Sequence, residues 1–157
     1  MFDIILDDNE ILQLMKEQKP FPIDYGNLFK TKDKRGHKEQ ELSISRVDGS
    51  KFKVVLRQNQ VNILDFSLIL AYVPKNKTSV FRLRRYNGKS HQHSNKIEKE
   101  IFYEFHVHQA TERYQRAGFD EDAYAIPSVE YANINEAFDC FVKDCAIVLP
   151  PEAPELF

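Results

Sequence analysis

Cysteine is scarce in this chain. Two thiols, Cys140 and Cys145, stand among 157 residues, which excludes a disulfide-framed secreted module. Neither belongs to a Cys-x-x-Cys motif, and on a helix about 140° of rotation separates them, so they do not share a face. Cys145 is expected to behave as a small core hydrophobe and Cys140 to lie nearer the periphery. Long apolar runs are also missing. The longest, residues 63–73, is interrupted by Asp65 and is too short to cross a bilayer. The first ten residues, MFDIILDDNE, are acidic where a signal peptide would be cationic. A cytoplasmic location and no membrane partner are therefore expected. Nor is there a phosphate loop, a Gly-x-Gly-x-x-Gly, a Gly-x-Ser-x-Gly or a His-Glu-x-x-His, so the familiar nucleotide, dinucleotide, serine-hydrolase and zinc-protease chemistries have no support. No cofactor is expected. The His-x-Ser/Thr pair of two-histidine phosphoesterases is absent too, only brushed by His93-Ser94.

What is present is an ordinary globular composition, 42% hydrophobic and 29% charged, enough for one core but not two. A single domain over residues 1–148 is expected, with a Pro-rich acidic tail over 149–157. The net charge of −2 hides an asymmetry. Residues 30–99 carry 17 Lys and Arg against 6 Asp and Glu, whereas the rest of the chain carries 5 against 18. Such a basic block can steer a polyanion such as nucleic acid. Alternatively, the two blocks neutralise each other in the fold.

The pattern of apolar residues predicts an α+β protein, an antiparallel sheet of about five strands with an N-terminal and a C-terminal helix packed on it. Residues 8–19 read as a helix capped by an Asp, with an acidic first turn and a basic end. Residues 31–40 are polar and Lys-rich and read as a mobile loop. A hairpin follows over 41–47 and 51–58, turned at Asp48-Gly49. The next strands fall at 61–73, the most hydrophobic, at 79–86 and at 102–110. On the last of these, Tyr103, Phe105 and Val107 take one face while Glu104, His106 and His108 take the other. The clearest element is the final helix. Asn133-x-x-Glu136 is close to a capping box, and Ile134, Ala137, Phe138, Phe141, Val142 and Cys145 follow helical spacing.

Four of the five histidines lie within eighteen residues, as His91-Gln-His93 and His106-Val-His108. Imidazole is both the side chain that titrates nearest neutral pH and the commonest metal ligand. Strand alternation sets His106 and His108 side by side, next to a row of cations from the neighbouring strand, either Arg82 and Arg84 or Arg85. His91 and His93 lie on a loop that can fold over that face. Three chemistries fit. Two histidines can act as base and acid in metal-free cleavage of RNA, with Arg holding the phosphate. Alternatively, His91, His93, His106 and His108 can ligate a transition metal such as Zn or Ni. In the third case the patch only binds, recognising nucleic acid or an acidic partner.

Read together, FRLRRYNGKSHQHSN (81–95), FHVH (105–108) and ERYQRAGF (112–119) resemble an uncharacterised family of small prokaryotic proteins. The matching positions are Gly88, His91, Asn95, His106, His108, Tyr114 and Gly118, across roughly residues 40–147. A more distant likeness is to TumE-type toxins, which pair an Arg-Tyr strand with a downstream His cluster. This chain departs from both in carrying the extra His93 and in lacking a proline in the loop. The resemblance implies an origin near mobile elements, defence or toxin–antitoxin genes, and a cognate antitoxin as a partner. The leading expectation is a toxin-like, metal-independent ribonuclease with RNA as its partner. His91, His106 and His108 would carry the chemistry, with Arg84 and Tyr114 in support, and Arg82, Arg85 and Lys89 would bind nucleic acid. The alternative from another class is a non-catalytic binding or antagonist protein.

Overall fold

The structure, a computed structural model, describes residues 4–28, 30–34 and 36–151; most of the proline-rich tail lies outside them. It is an α+β fold built on one antiparallel sheet, with seven strands rather than about five. The first five strands in it form a meander: β2 (Lys30–Lys34), β3 (His37–Ser45), β4 (Lys51–Asn59), β5 (Phe66–Val73) and β6 (Phe81–Asn87). The chain then leaves the sheet for a small hairpin, β7 (His93–Asn95) and β8 (Glu100–Phe102), and returns as β9 (His106–Gln109) against β6. After a short helix α3 (Glu112–Arg116), β10 (Tyr124–Pro127) adds the outer edge. Two further helices are α1 (Asp8–Lys16) and α4 (Ile134–Asp144), and a second small helix is α2 (Tyr25–Leu28). A short parallel pair, β1 (Lys19–Pro20) and β11 (Ile147–Val148), joins the segment after α1 to the segment after α4. Among the described residues no helix is long and apolar enough to cross a membrane.

One face of the sheet carries the main core. Leu42, Val54, Leu56, Leu68, Leu70 and Tyr86 meet Ile11 and Met15 of α1 and Ile134, Ala137 and Phe141 of α4. Asn133 caps α4 as its spacing suggests, accepting from the Glu136 amide at 2.9 Å. For α1 the cap is Asp7 rather than Asp8, in a reciprocal box with Glu10. The helix ends at Lys16 because the Lys19 ammonium, fully buried, takes over its last carbonyls. It donates to Met15 O at 3.1 Å, Glu17 O at 2.7 Å and Cys145 O at 2.8 Å. A cation thus closes the C-terminal ends of both α1 and α4, where unpaired carbonyls concentrate negative charge. Phe141 is fully enclosed, with its ring 5.9 Å from that of Tyr86. Phe141→Ala is expected to lower unfolding free energy by about 3–5 kcal/mol, read from urea denaturation.

Several elements differ from the sequence pattern for local reasons. Residues 61–64 do not extend β5. The Asn59 side chain accepts from Val61 and Asn62 amides, and Asn62 from Leu64, so two Asx turns compete with the ladder. The 31–40 segment is a hairpin rather than a loop, with Gly36 at φ 85° in the turn. The expected strand at 102–110 is split, because residues up to Phe102 pair with β7 and only His106 onward joins the sheet. At β6 the register shifts: Arg82 faces Ala71 and Arg84 faces Leu70, so Leu83 has no counterpart in β5, while its carbonyl accepts from the Ala110 amide at 3.0 Å. Such a bulge breaks simple alternation, and it decides which arginine reaches the histidines.

Candidate metal centre

The β6–β9 register sets Asn87 opposite His106 and Arg85 opposite His108. All four therefore share the face turned away from α1 and α4, while Phe105 and Val107 pack on the main core. The β7–β8 hairpin folds over this outer face and brings His93 down on the strand pair. The ring centroids lie 5.2 Å apart for His93 and His106, 4.8 Å for His93 and His108, and 5.0 Å for His106 and His108. One ring nitrogen from each residue lies within 4.8 Å of those of the other two. Phe102 closes one side, 5.3 Å from the His93 ring and 5.6 Å from His106. His106 and His108 are 1% and 4% exposed, and His93 is partly buried.

Their tautomers follow from their partners. His106 Nδ1 lies 2.9 Å from the Glu104 carbonyl, and His108 Nδ1 lies 2.7 Å from the Asp122 carbonyl. A carbonyl only accepts, so both Nδ1 atoms carry the proton and both Nε2 atoms keep a lone pair. For His93 the partner is the Asn95 amide, at 2.8 Å from Nε2. The orientation of that amide is set by Ala125: Asn95 Nδ2 donates to the Ala125 carbonyl at 2.7 Å, and Asn95 Oδ1 accepts from the Ala125 amide at 2.9 Å. The atom facing His93 is thus the oxygen, Nε2 carries the proton, and Nδ1 is left as the donor. Burial pushes His106 down to about 4 and His108 to about 2, with Arg85 contributing a smaller effect in the same direction at both. Both are neutral near pH 7. The result is three convergent imidazoles, each with one N–H held by an oxygen and its second ring nitrogen left to give. Histidine ligands of metals are oriented in this way, and an all-imidazole set suits Zn, Cu, Ni or Fe.

The other expected site residues are distributed differently. His91 is exposed at the rim, its Nδ1 2.9 Å from Ser90 Oγ. It acts electrostatically on His106 but stands outside the three-histidine group. Arg84 lies on the opposite face of the sheet from the imidazoles. The bulge aligns it with Leu70, and its charge acts on Tyr86 and Cys145 of the main core. Tyr114 is buried, its hydroxyl donating to Glu98 and accepting from the Ile97 amide at 3.2 Å. It anchors the turn between β7 and β8 rather than touching an imidazole. Arg82 and Arg85 share the histidine face but are ion-paired. Arg82 meets Glu121 at 3.2 Å and Asp122 at 3.3 Å, and Arg85 meets Asp122 at 3.3 Å. Lys89 is exposed on the loop after β6. With Arg46 held by Glu17 at 2.7 Å, several cations of the basic middle are matched by acids from the ends of the chain. Here the two blocks neutralise each other.

Asn87, Asn95 and Asp122 are not among the site residues expected from sequence, although Asn95 is one of the positions matched in the resemblance. Asn95 shares a strand face with His93 two residues earlier, which is a legible signal once β7 is known to be a strand. Asp122 carries no local signal. It is 1% exposed, its carbonyl orients His108, and its carboxylate holds Arg82 and Arg85. Burial pushes that carboxyl up against the pull of the two guanidiniums. Comparison of the chain with protein-family models, with curated proteins and with solved structures gives no match.

Proposed function

We propose that His93, His106 and His108 bind one divalent transition-metal ion of the zinc type, and that the protein uses it to activate water for hydrolysis. The observation that supports this reading is the set of three convergent, tautomerically locked imidazoles. Structural zinc sites take four protein ligands, whereas hydrolytic ones take three and leave a position for water. Three neutral ligands also leave the full charge of the ion to act on that water, lowering its pKa to about 7. The Glu104 and Asp122 carbonyls and the Asn95 amide supply the outer hydrogen bonds that raise ligand basicity.

The metal-independent ribonuclease scheme fits the geometry less well. It needs an imidazolium to protonate the leaving oxygen, and burial holds His106 and His108 neutral. It also asks Arg84 to support the phosphate from the far side of the sheet. A metal ion removes the need for a histidine acid. The test uses the full chain, purified without a His-tag and loaded with zinc. Hydrolysis of 4-nitrophenyl acetate is expected to fall to the solution rate after chelation and to return when zinc is restored. Verified metal-free protein that hydrolyses the ester as fast as the loaded form overturns the proposal.

A further inference from the structure

Resting on that reading, the surroundings of the three histidines narrow the substrate. Among the described residues no carboxylate belongs to the ligand group, so an ion there keeps a strong preference for an anionic fourth ligand. Arg85 stands directly across the β6–β9 ladder from His108, on the same face, and its charge acts on both His106 and His108. Arg85 and Arg82 differ in how they are held. Arg82 is surrounded by Asp120, Glu121 and Asp122. Arg85 meets Asp122 through Nε, and among the described residues that contact lacks hydrogen-bond geometry at both atoms. Asp122 thus anchors one edge of the guanidinium, and the two terminal nitrogens remain as a fork.

A second donor points the same way. Asn87 sits across from His106, and its Oδ1 accepts from Ser67 Oγ at 2.8 Å. That bond turns Nδ2 toward the site, 3.4 Å from His106 Nε2. Once His106 Nε2 gives its lone pair to an ion, this N–H is free to donate to whatever the ion binds.

From these positions we infer that the centre takes a phosphate ester, one phosphoryl oxygen on the metal and the others on the Arg85 fork and the Asn87 amide. A phosphoryl group has oxygens enough to serve the ion and a bidentate guanidinium together, whereas a carboxylate that bridges to the metal leaves a single oxygen. In hydrolysis the metal-bound hydroxide adds to phosphorus and the bond from phosphorus to the leaving oxygen breaks. Water supplies both parts, since its hydroxide stays on phosphorus and its proton ends on the leaving group.

The test is spectroscopic. In the cobalt(II)-substituted full chain, inorganic phosphate is expected to shift the visible absorption of the ion at concentrations where acetate does not. Arg85→Gln should take up cobalt normally and bind phosphate at least ~10-fold more weakly. Arg85→Lys keeps a charge facing Asp122 but not the fork, and is also expected to bind more weakly. Bis(4-nitrophenyl) phosphate and a short RNA, added as competitors, distinguish a small ester from a nucleic-acid phosphodiester as the source of the group. Failure of the wild type to take up cobalt overturns the metal centre itself. Cobalt uptake with no response to phosphate, an equal response to acetate, or wild-type phosphate binding by either Arg85 variant overturns this inference and leaves the metal centre standing.

Discussion

Protein carrying His106→Ala or His108→Ala is expected to lose its metal. The wild type, expressed without a His-tag, should retain about one equivalent of zinc through gel filtration, measured by elemental analysis. Each variant removes one of three ligands, a larger loss than the 10–100-fold that outer-shell changes produce, so affinity should fall by more than about 100-fold. The thermodynamic consequence is visible in melting experiments. A ligand present at about 1,000 times its dissociation constant stabilises the native state by about 4 kcal/mol. Zinc should therefore raise the melting temperature of the wild type and leave these variants unmoved. His91→Ala is the contrast: His91 is exposed at the rim and outside the group, so its removal should leave zinc content and the zinc-induced shift intact. Stoichiometric zinc in either strand variant, or loss of zinc in His91→Ala, would show that the ligands have been misassigned.

The second large effect is expected at Asn95, which is 1% exposed. Asn95→Leu is close in volume but removes the hydrogen bonds to both the amide and the carbonyl of Ala125. Two backbone groups at the sheet edge are left unsatisfied, at about 1–3 kcal/mol each, so a loss of about 2–6 kcal/mol is expected in urea denaturation. The same change frees the His93 ring, and zinc affinity should drop by about 10–100-fold in a competitive chelator titration. Asn95→Asp keeps the acceptor for His93 Nε2 and the Ala125 amide and loses the donor to the Ala125 carbonyl. It should retain more zinc affinity than Asn95→Leu. Equal affinities for the two would mean that the amide oxygen does not orient the ring.

Much of the fold could be read from the chain because its signals are local. The capping Asn133, the helical stripe from Ile134 to Cys145 and the Asp48-Gly49 turn each specify geometry within a few residues. The facing of His106 and His108 away from Phe105 and Val107 is likewise a period-two property that survives wherever the strand ends. Strand limits were harder to read. The Asn59 and Asn62 side chains cut β5 short by bonding to nearby amides, and the β6 bulge joined Arg82 to Arg85 on the histidine face and left Arg84 on the other, where strict alternation offers either Arg82 with Arg84 or Arg85. Apolar alternation contains neither event.

The site divides along the same line. By itself the sequence determined that His106 and His108 stand together on one strand face, and that a polar segment with His91 and His93 precedes them, because adjacency along a strand follows from backbone geometry alone. Only the tertiary structure decided that His93, and not His91, completes the group. Only there does Arg85, and not Arg84, stand beside it, and Asn95 and Asp122 become orienting groups. These outcomes depend on where a three-residue hairpin strand lands, on one residue of β6 skipped in the register with β5, and on burial deep enough to keep two imidazoles neutral. Each arises from contacts between segments distant along the chain, whose geometry no local pattern encodes.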